Sequence, residues 1–219
     1  MLTKKDQSLD SSSVLIANGK KPKNKKIIEI LKNAKNVICV DNGYELASEL
    51  NITPSVVIGD LDSVDINKIS KDILIIKDED QNTNDLEKAL NYCLSKNIRD
   101  IILVGATGER DDQNLATILV SLEYIEQLNI EILSDLYSIE FVNGKRDFEV
   151  TPMREVSLIS MDKENIITTQ GLKYNLDKSK LSSATHGISN YSIGENFSIS
   201  CSSPLLSLIH ISEPTRPRI

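Results

Sequence analysis

Up to about residue 135, apolar runs of strand length alternate with segments of helical period: "SVLIA", "VICVD", "VVIGD", "ILIIK", "IILVG" and "IEILS" are the runs. A strand buried on both faces and followed by a returning helix is the pattern of a parallel sheet covered by helices, so few other folds are open to this half of the chain. Between the runs, "KKIIEILKN" and "YELASEL" read as short helices. "DLEKALNYCLSKN" sets Leu86, Ala89, Leu90, Cys93 and Leu94 on one helical stripe. After "IILVG", Leu115, Ile118, Leu119, Leu122 and Ile125 recur at three- and four-residue steps, which predicts a buried stripe with Glu123 and Glu126 outside.

Beyond Asp135 the period changes to two. "YSIEFVNGKRDFEV" is two alternating runs around an Asn-Gly turn, and "VSLISM", "NIITTQGLKYNL" and "NFSISCS" follow without a helical pattern. The expected organisation is an α/β domain over 1–135 and an all-β unit over 136–205, closely packed because no Pro/Gly-rich linker joins them. "LSLIHISEPTR", Leu206 to Arg216, reads as an in-frame translation of a transposase-end adapter used in preparing sequencing libraries. Residues 206–219 are therefore expected to be an artefactual tail outside the fold, cutting short the natural last strand and leaving His210 without a role.

A chain of 219 residues with 40% hydrophobic content can bury a proper core. Its net charge of -7 argues against non-specific nucleic-acid binding, and an anionic substrate needs placed cations or metal ions. No apolar run is long enough to cross a bilayer and the N-terminus has no apolar signal core, so the expected compartment is the cytoplasm. Cys39, Cys93 and Cys201 lack metal-like spacing and read as reduced core thiols.

In an open parallel sheet, functional loops lie at the carboxyl ends of the strands. Four such ends here carry unusual residues: "DNG" at Asp41 to Gly43, Asp60 and Asp62 after "VVIG", "DEDQNTND" at Asp78 to Asp85, and "ATGERDD" at Ala106 to Asp112. Asp60 and Asp62 repel each other unless a hard cation sits between them or one is a turn residue. Asn84 with Glu87 three residues on is a helix capping pair, which leaves Asp80 and Gln81 unexplained. Asp85 either complements the helix dipole or joins a metal, and Lys88 either pairs with Asp85 or reaches a phosphate. The glycine-punctuated "GATGERDDQN" suits close approach of backbone to phosphate, but it lacks the Gly-Lys-Ser/Thr ending of a Walker A loop. Arg110 would then supply the cation, while Asp112 is equally open to a capping role. Outside the tail, His186 is the one histidine, and no cysteine lies in a polar loop. Nucleophilic and zinc chemistry are thus poorly supplied, and carboxylates without histidine point to Mg²⁺ and phosphate.

"DNG", "GDLDS", "DQNTND" with Lys88, "GATGERDDQ", "TTQGLKYNL" and "GISN" occur in the order and approximate spacing of the thiamine pyrophosphokinases, and from Leu15 to about Leu205 the chain resembles that family. The resemblance implies an N-terminal parallel-sheet α/β catalytic domain, a C-terminal β-sandwich, and a homodimer binding thiamine between subunits. The implied reaction is ATP plus thiamine giving AMP plus thiamine diphosphate. Asp60, Asp62 and Asp85 match the positions that hold Mg²⁺ and the triphosphate, with Asp41, Asp80 and Lys88 beside them and Arg110 and Asp112 on the nucleotide side. Gln81, Tyr174, Ser189 and Asn190 match the thiamine positions, although by residue type alone Tyr174 reads as a half-buried sheet tyrosine. The chain departs from the pattern at Asn42 and Glu109, where the family usually has Gly, and at Gln113, where many bacterial members have His.

Two other readings of the same residues are a Mg²⁺-dependent sugar-nucleotide transferase built on Asp-x-Asp, and a thiamine- or nucleotide-binding module without activity. The first has no use for "TTQGLKYNL"; the second predicts a missing metal carboxylate, and Asp60, Asp62 and Asp85 are all present.

Overall fold

The computed structural model describes residues 13–62, 64–108 and 110–211, and the chain divides into two compact units at Ser134 and Asp135. All six expected strands of the first unit form: β1 (Ser13–Ile16), β2 (Val37–Val40), β3 (Val56–Gly59), β4 (Leu74–Lys77), β5 (Asp100–Val104) and β6 (Asn129–Leu133). They pair in parallel in the order β6-β5-β1-β2-β3-β4. β1, β2 and β3 are buried at every position, as their unbroken apolar runs require. Helices α1 (Lys25–Asn33), α2 (Gly43–Glu49), α3 (Asp85–Ser95) and α4 (Asp111–Glu123) connect the strands.

α3 buries Ala89, Leu90 and Cys93 as its stripe predicts, but it also buries Lys88. α4 departs from expectation. Thr117 and Ser121 are its buried residues, while Leu115 and Leu119 are 55% and 43% exposed. Both buried hydroxyls are satisfied: that of Thr117 donates to the Ala106 carbonyl at 3.2 Å, which ties the helix to the loop after β5, and that of Ser121 donates to the Thr117 carbonyl at 2.7 Å within the helix. Small residues whose donors are satisfied on backbone form the inner face, and the leucines are turned outward.

The second unit is a sandwich. One sheet has the antiparallel order β11-β9-β13-β7, from β7 (Tyr137–Val142), β9 (Glu155–Ser160), β11 (Asn190–Tyr191) and β13 (Leu205–His210); the other is β10-β12-β8, from β8 (Lys145–Glu149), β10 (Ile167–Gln170) and β12 (Asn196–Cys201). Both sheets contribute to one core, in which Val142, Leu158 and Leu205 meet Phe148, Ile167 and Ile199, and the rings of Phe148 and Phe197 stack at 4.5 Å. The two runs flanking Asn143-Gly144 do not pair with each other. β7 joins β13 and β8 joins β12, so the turn, with Gly144 at φ 82, carries the chain from one sheet to the other. An ion pair between half-buried Arg146 and buried Glu140, Nη2 to Oε2 at 2.5 Å, ties β8 back to β7.

Leu206 to His210, expected to lie outside the fold, belong instead to β13, which is paired on both sides. Its inward positions alternate as Leu205, Ser207 and Ile209, and apolar alternation is sufficient for a strand to enter a two-sheet core. Ile211 follows, its N–H donating to the Leu136 carbonyl at 2.8 Å, and residues 212–219 lie outside the described residues. Ser207 is the misfit: its hydroxyl is buried opposite Glu140 and Leu158 with no partner among the described residues. Ser207→Ala is therefore expected to raise stability by about 1 kcal/mol, because an unsatisfied buried hydroxyl costs more than its absence. A melting temperature raised by about 2–4 °C checks it.

Cys39, Cys93 and Cys201 are free and buried, and burial pushes the thiols of Cys39 and Cys93 up to about 12. No helix among the described residues is long and apolar enough to cross a membrane.

Candidate functional site

Parallel pairing puts the carboxyl ends of β1 to β5 on one edge, and the loops leaving them surround a cavity of about 710 Å³, within the range of small-ligand sites. Asp41, Asp60, Asp80, Gln81, Lys88 and Arg110 are among the residues that line it. Its floor depends on close backbone passage: Gly19 N–H donates to the Gly105 carbonyl at 2.5 Å, and a Cβ at Gly19 would lie 2.3 Å from that oxygen. The loops after β1 and β5 can cross there only without a side chain.

Three carboxylates converge. Asp41, Asp60 and Asp85 each bring an oxygen within 4.8 Å of the other two. Asp41 leaves β2 in the left-handed region, φ 46, with its N–H donating to the Ile58 carbonyl at 2.8 Å, which brings its side chain beside the end of β3. Asp60 N–H donates to Asp85 Oδ1 at 3.1 Å, linking the end of β3 to the first turn of α3. Asp85 is held from the other side by Lys88, whose buried Nζ donates to Asp85 Oδ1 at 3.1 Å and to the Asp78 carbonyl at 2.8 Å. Asn84 and Glu87 form the expected capping box, which fixes where that turn begins.

The Asp41 carboxyl is pushed above its ordinary range, first by burial and then by the charges of Asp85, Asp60 and Asp62, against a lowering hydrogen bond from the Asn42 N–H. Asp41 Oδ1 is also buried without a partner among the described residues. Mutually repelling carboxylates and an orphaned oxygen form a donor set that suits a hard divalent cation.

Asp62 is not one of the converging three. It is exposed, its N–H donates to Asp60 Oδ1 at 3.2 Å in a local turn, and its charge is felt by Asp41. Asp80 accepts from the N–H and Nδ2 of Asn82 at 2.9 and 2.7 Å, and these bonds hold its carboxyl below the usual range. Gln81 lines the cavity beside it. Arg110 occupies the capping position of α4 and its guanidinium forks onto Asp112, Nε to Oδ1 at 3.1 Å and Nη2 to Oδ2 at 2.6 Å. The capping role considered for Asp112 is corrected: the helix starts at Asp111, and Asp112 sits inside its first turn, bonded to Arg110 and to the Gln113 N–H.

Asn18, Asn114 and Thr117 also line the cavity and were not singled out by sequence. Asn114 Oδ1 accepts from the Gly108 N–H at 2.9 Å, locking the glycine loop to the helix that follows it. Its place one turn into that helix was the available signal. Of the departures, Gln113 lines the cavity, Asn42 donates to Asn18 and Glu45 at 3.3 Å each, and Glu109 lies outside the described residues.

In the second unit, Tyr174, Ser189 and Asn190 come together. Asn190 Oδ1 accepts from the Tyr174 N–H at 3.0 Å and its Nδ2 donates to the Tyr174 carbonyl at 2.7 Å, so its amide serves to hold Tyr174. Tyr174 is not a half-buried sheet residue: it lies between β10 and β11, is 62% exposed, and carries Lys173 Nζ over its ring at 5.4 Å. The asparagine turns its loop outward, overriding the tyrosine's preference for a strand.

Residues 27–133 match the family described as thiamin pyrophosphokinase, catalytic domain, and residues 145–206 match its vitamin B1 binding domain. Thiamin pyrophosphokinase 1 of Caenorhabditis elegans is 22% identical over 136 residues, covering 57% of this chain and 56% of that relative, so the match spans little more than half of the curated relative's length. Among solved structures, thiamine pyrophosphokinase from Bacillus subtilis superposes with a TM-score of 0.80 at 23% identity, covering 93% of this chain and 100% of that one. The thiamin pyrophosphokinase of Candida albicans gives 0.77 at 19% identity, covering 93% and 91%.

Proposed function

We propose that this chain, which belongs to the thiamin pyrophosphokinase family, transfers the pyrophosphoryl group of ATP to the hydroxyl of thiamine, giving thiamine diphosphate and AMP. The observation that carries the reading is the carboxylate trio Asp41, Asp60 and Asp85 inside a cavity of ligand size at the carboxyl edge of a parallel sheet. The match of the second unit to a vitamin B1 binding domain favours thiamine over the sugar-nucleotide alternative.

Asp41, Asp60 and Asp85 would hold Mg²⁺, with Asp62 as a further carboxylate within electrostatic reach. A divalent ion there supplies positive charge against the triphosphate. Lys88 keeps the Asp85 carboxylate oriented while it is shared. Asp112 holds the Nε and Nη2 edge of Arg110, which leaves the Nη1 edge of the guanidinium for phosphate oxygens. Asp80 and Gln81 stand on the loop at the mouth of α3, with Gln81 on the thiamine side. Tyr174 offers an aromatic face that suits a cationic thiazolium, and Ser189 lies next to the asparagine that holds it. Attack of a hydroxyl on the β-phosphorus requires alignment and charge neutralisation, and these residue types supply both.

We place its work in the cytoplasm and its active form as a homodimer. The buried free thiols support the first, and the exposed Tyr174, Ile188, Ile193 and Met153 of the second unit support the second. Incubation with Mg²⁺, ATP and thiamine, with products separated by chromatography and identified by mass, tests the reaction. AMP with thiamine diphosphate is expected; ADP with thiamine monophosphate, or no product from a folded dimer, overturns it.

A further inference from the structure

The segment Ser182–Asn190 contains no helix and reaches a strand only at Asn190, yet it is tied at several points along its length. At one end, His186 Nδ1 accepts from the Ser182 N–H at 3.0 Å and lies 3.1 Å from the Ser182 hydroxyl, while the His186 N–H donates to the Ser183 carbonyl at 3.2 Å. At the next residue the backbone is pressed onto β9: the Gly187 carbonyl accepts from the Leu158 N–H at 2.8 Å, and a Cβ at Gly187 would lie 2.4 Å from the Leu158 oxygen. Ser189, at φ 58, then donates its N–H to the Ser157 hydroxyl at 3.1 Å, and Asn190 holds the backbone of Tyr174.

We infer that His186 is a positioning residue for thiamine: by closing the Ser182–His186 ring it fixes how the chain enters Gly187, and hence how Ser189 and Tyr174 are presented. This rests on the reading that Tyr174 and Ser189 face thiamine. The β9 side of the segment is anchored by backbone, whereas on its outer side Ser182, Ser183, Ala184 and Thr185 are exposed and are otherwise tied only locally, by the Ser183–Thr185 hydroxyl contact at 3.2 Å and the Ile188 N–H to Thr185 carbonyl bond at 3.2 Å. Of the two side-chain ties there, the imidazole is the one that bonds backbone and spans the whole turn from Ser182 to His186. With Nδ1 accepting from a backbone N–H, the neutral ring carries its proton on Nε2. An asparagine can place Oδ1 where Nδ1 stands; an alanine cannot. Without the anchor, thiamine must order the segment when it binds, a cost that appears in affinity and not in the chemical step.

Steady-state kinetics of the full chain with His186→Ala, His186→Asn and Tyr174→Ala test this, with melting temperatures measured alongside. His186→Ala is expected to raise the thiamine KM roughly three- to tenfold, the loss of about one hydrogen bond, with kcat and the ATP KM within about twofold of the parent. His186→Asn is expected to restore most of the loss. A thiamine KM unchanged in His186→Ala but raised in Tyr174→Ala overturns the role of His186. If Tyr174→Ala also leaves it unchanged, the thiamine reading of this loop falls and takes the inference with it. A fall in kcat with a lowered melting temperature, not rescued by asparagine, identifies a purely structural histidine and overturns the inference.

Discussion

Asp60→Asn is expected to lower turnover about 10²–10³-fold while leaving the melting temperature of the metal-free protein unchanged or raised. Asp60 belongs to a trio whose carboxylate oxygens lie within 4.8 Å of one another, and its backbone N–H also anchors Asp85. The amide keeps shape and the backbone bond but removes one negative charge. With that charge goes affinity for a hard cation, and with it goes repulsion that the folded state otherwise bears. Activity and stability therefore move in opposite directions. Kinetics at saturating ATP with a magnesium titration, beside thermal melts in chelator, measure both; a destabilised variant with retained turnover would assign Asp60 to the turn alone. Asp62→Asn is the informative companion. Asp62 stands outside the trio, so a loss equal to that of Asp60→Asn means its carboxylate joins the ion when substrate is bound.

Lys88→Met is expected to destabilise the protein by about 3 kcal/mol, a fall in melting temperature of about 6–12 °C. The ammonium group is buried and holds both the Asp85 carboxylate and the Asp78 carbonyl, while the Asp85 side chain is 27% exposed. Methionine fills the same space without a donor, leaving an uncompensated charge beside two others. A cation can then take over part of the role of the ammonium. Added Mg²⁺ should consequently raise the melting temperature more in the variant than in the parent. Equal magnesium shifts in the two proteins would show that Lys88 and the ion do not share Asp85.

The six parallel strands were legible because apolar runs of four or five residues have few alternative uses; β1, β2 and β3 are buried throughout, whereas β4 at the sheet edge keeps its apolar run although Leu74 is 51% exposed, and the capping box announced the start of α3 in its own residues. The orientation of α4 was not. Its leucines satisfy the helical period, but period alone does not say which stripe is buried, and Thr117 and Ser121 can take the inner positions because backbone carbonyls satisfy their hydroxyls. The Asn-Gly turn was visible, whereas its transfer of the chain between sheets depends on which strands compete for β7 and β8. In the site, adjacency in sequence did not reveal which carboxylates meet: Leu61 alone separates Asp60 from Asp62, yet Asp41 from the adjacent strand end is the one that converges with Asp60 and Asp85. The family resemblance located Asn190, and only the structure shows that its amide is occupied by the backbone of Tyr174.

The position of β13 has a consequence for biosynthesis. It lies between β7 and β9, and those two strands have no pairing with each other. While the chain emerges from the ribosome at about 5–20 residues per second, the first unit has all six strands available early, but β7 and β9 wait with open edges until Leu205–His210 arrive. Slow translation of the last quarter of the message would lengthen that exposure, and unpaired edges recruit other chains. Yield of soluble protein is thus coupled to how quickly the final strand is delivered.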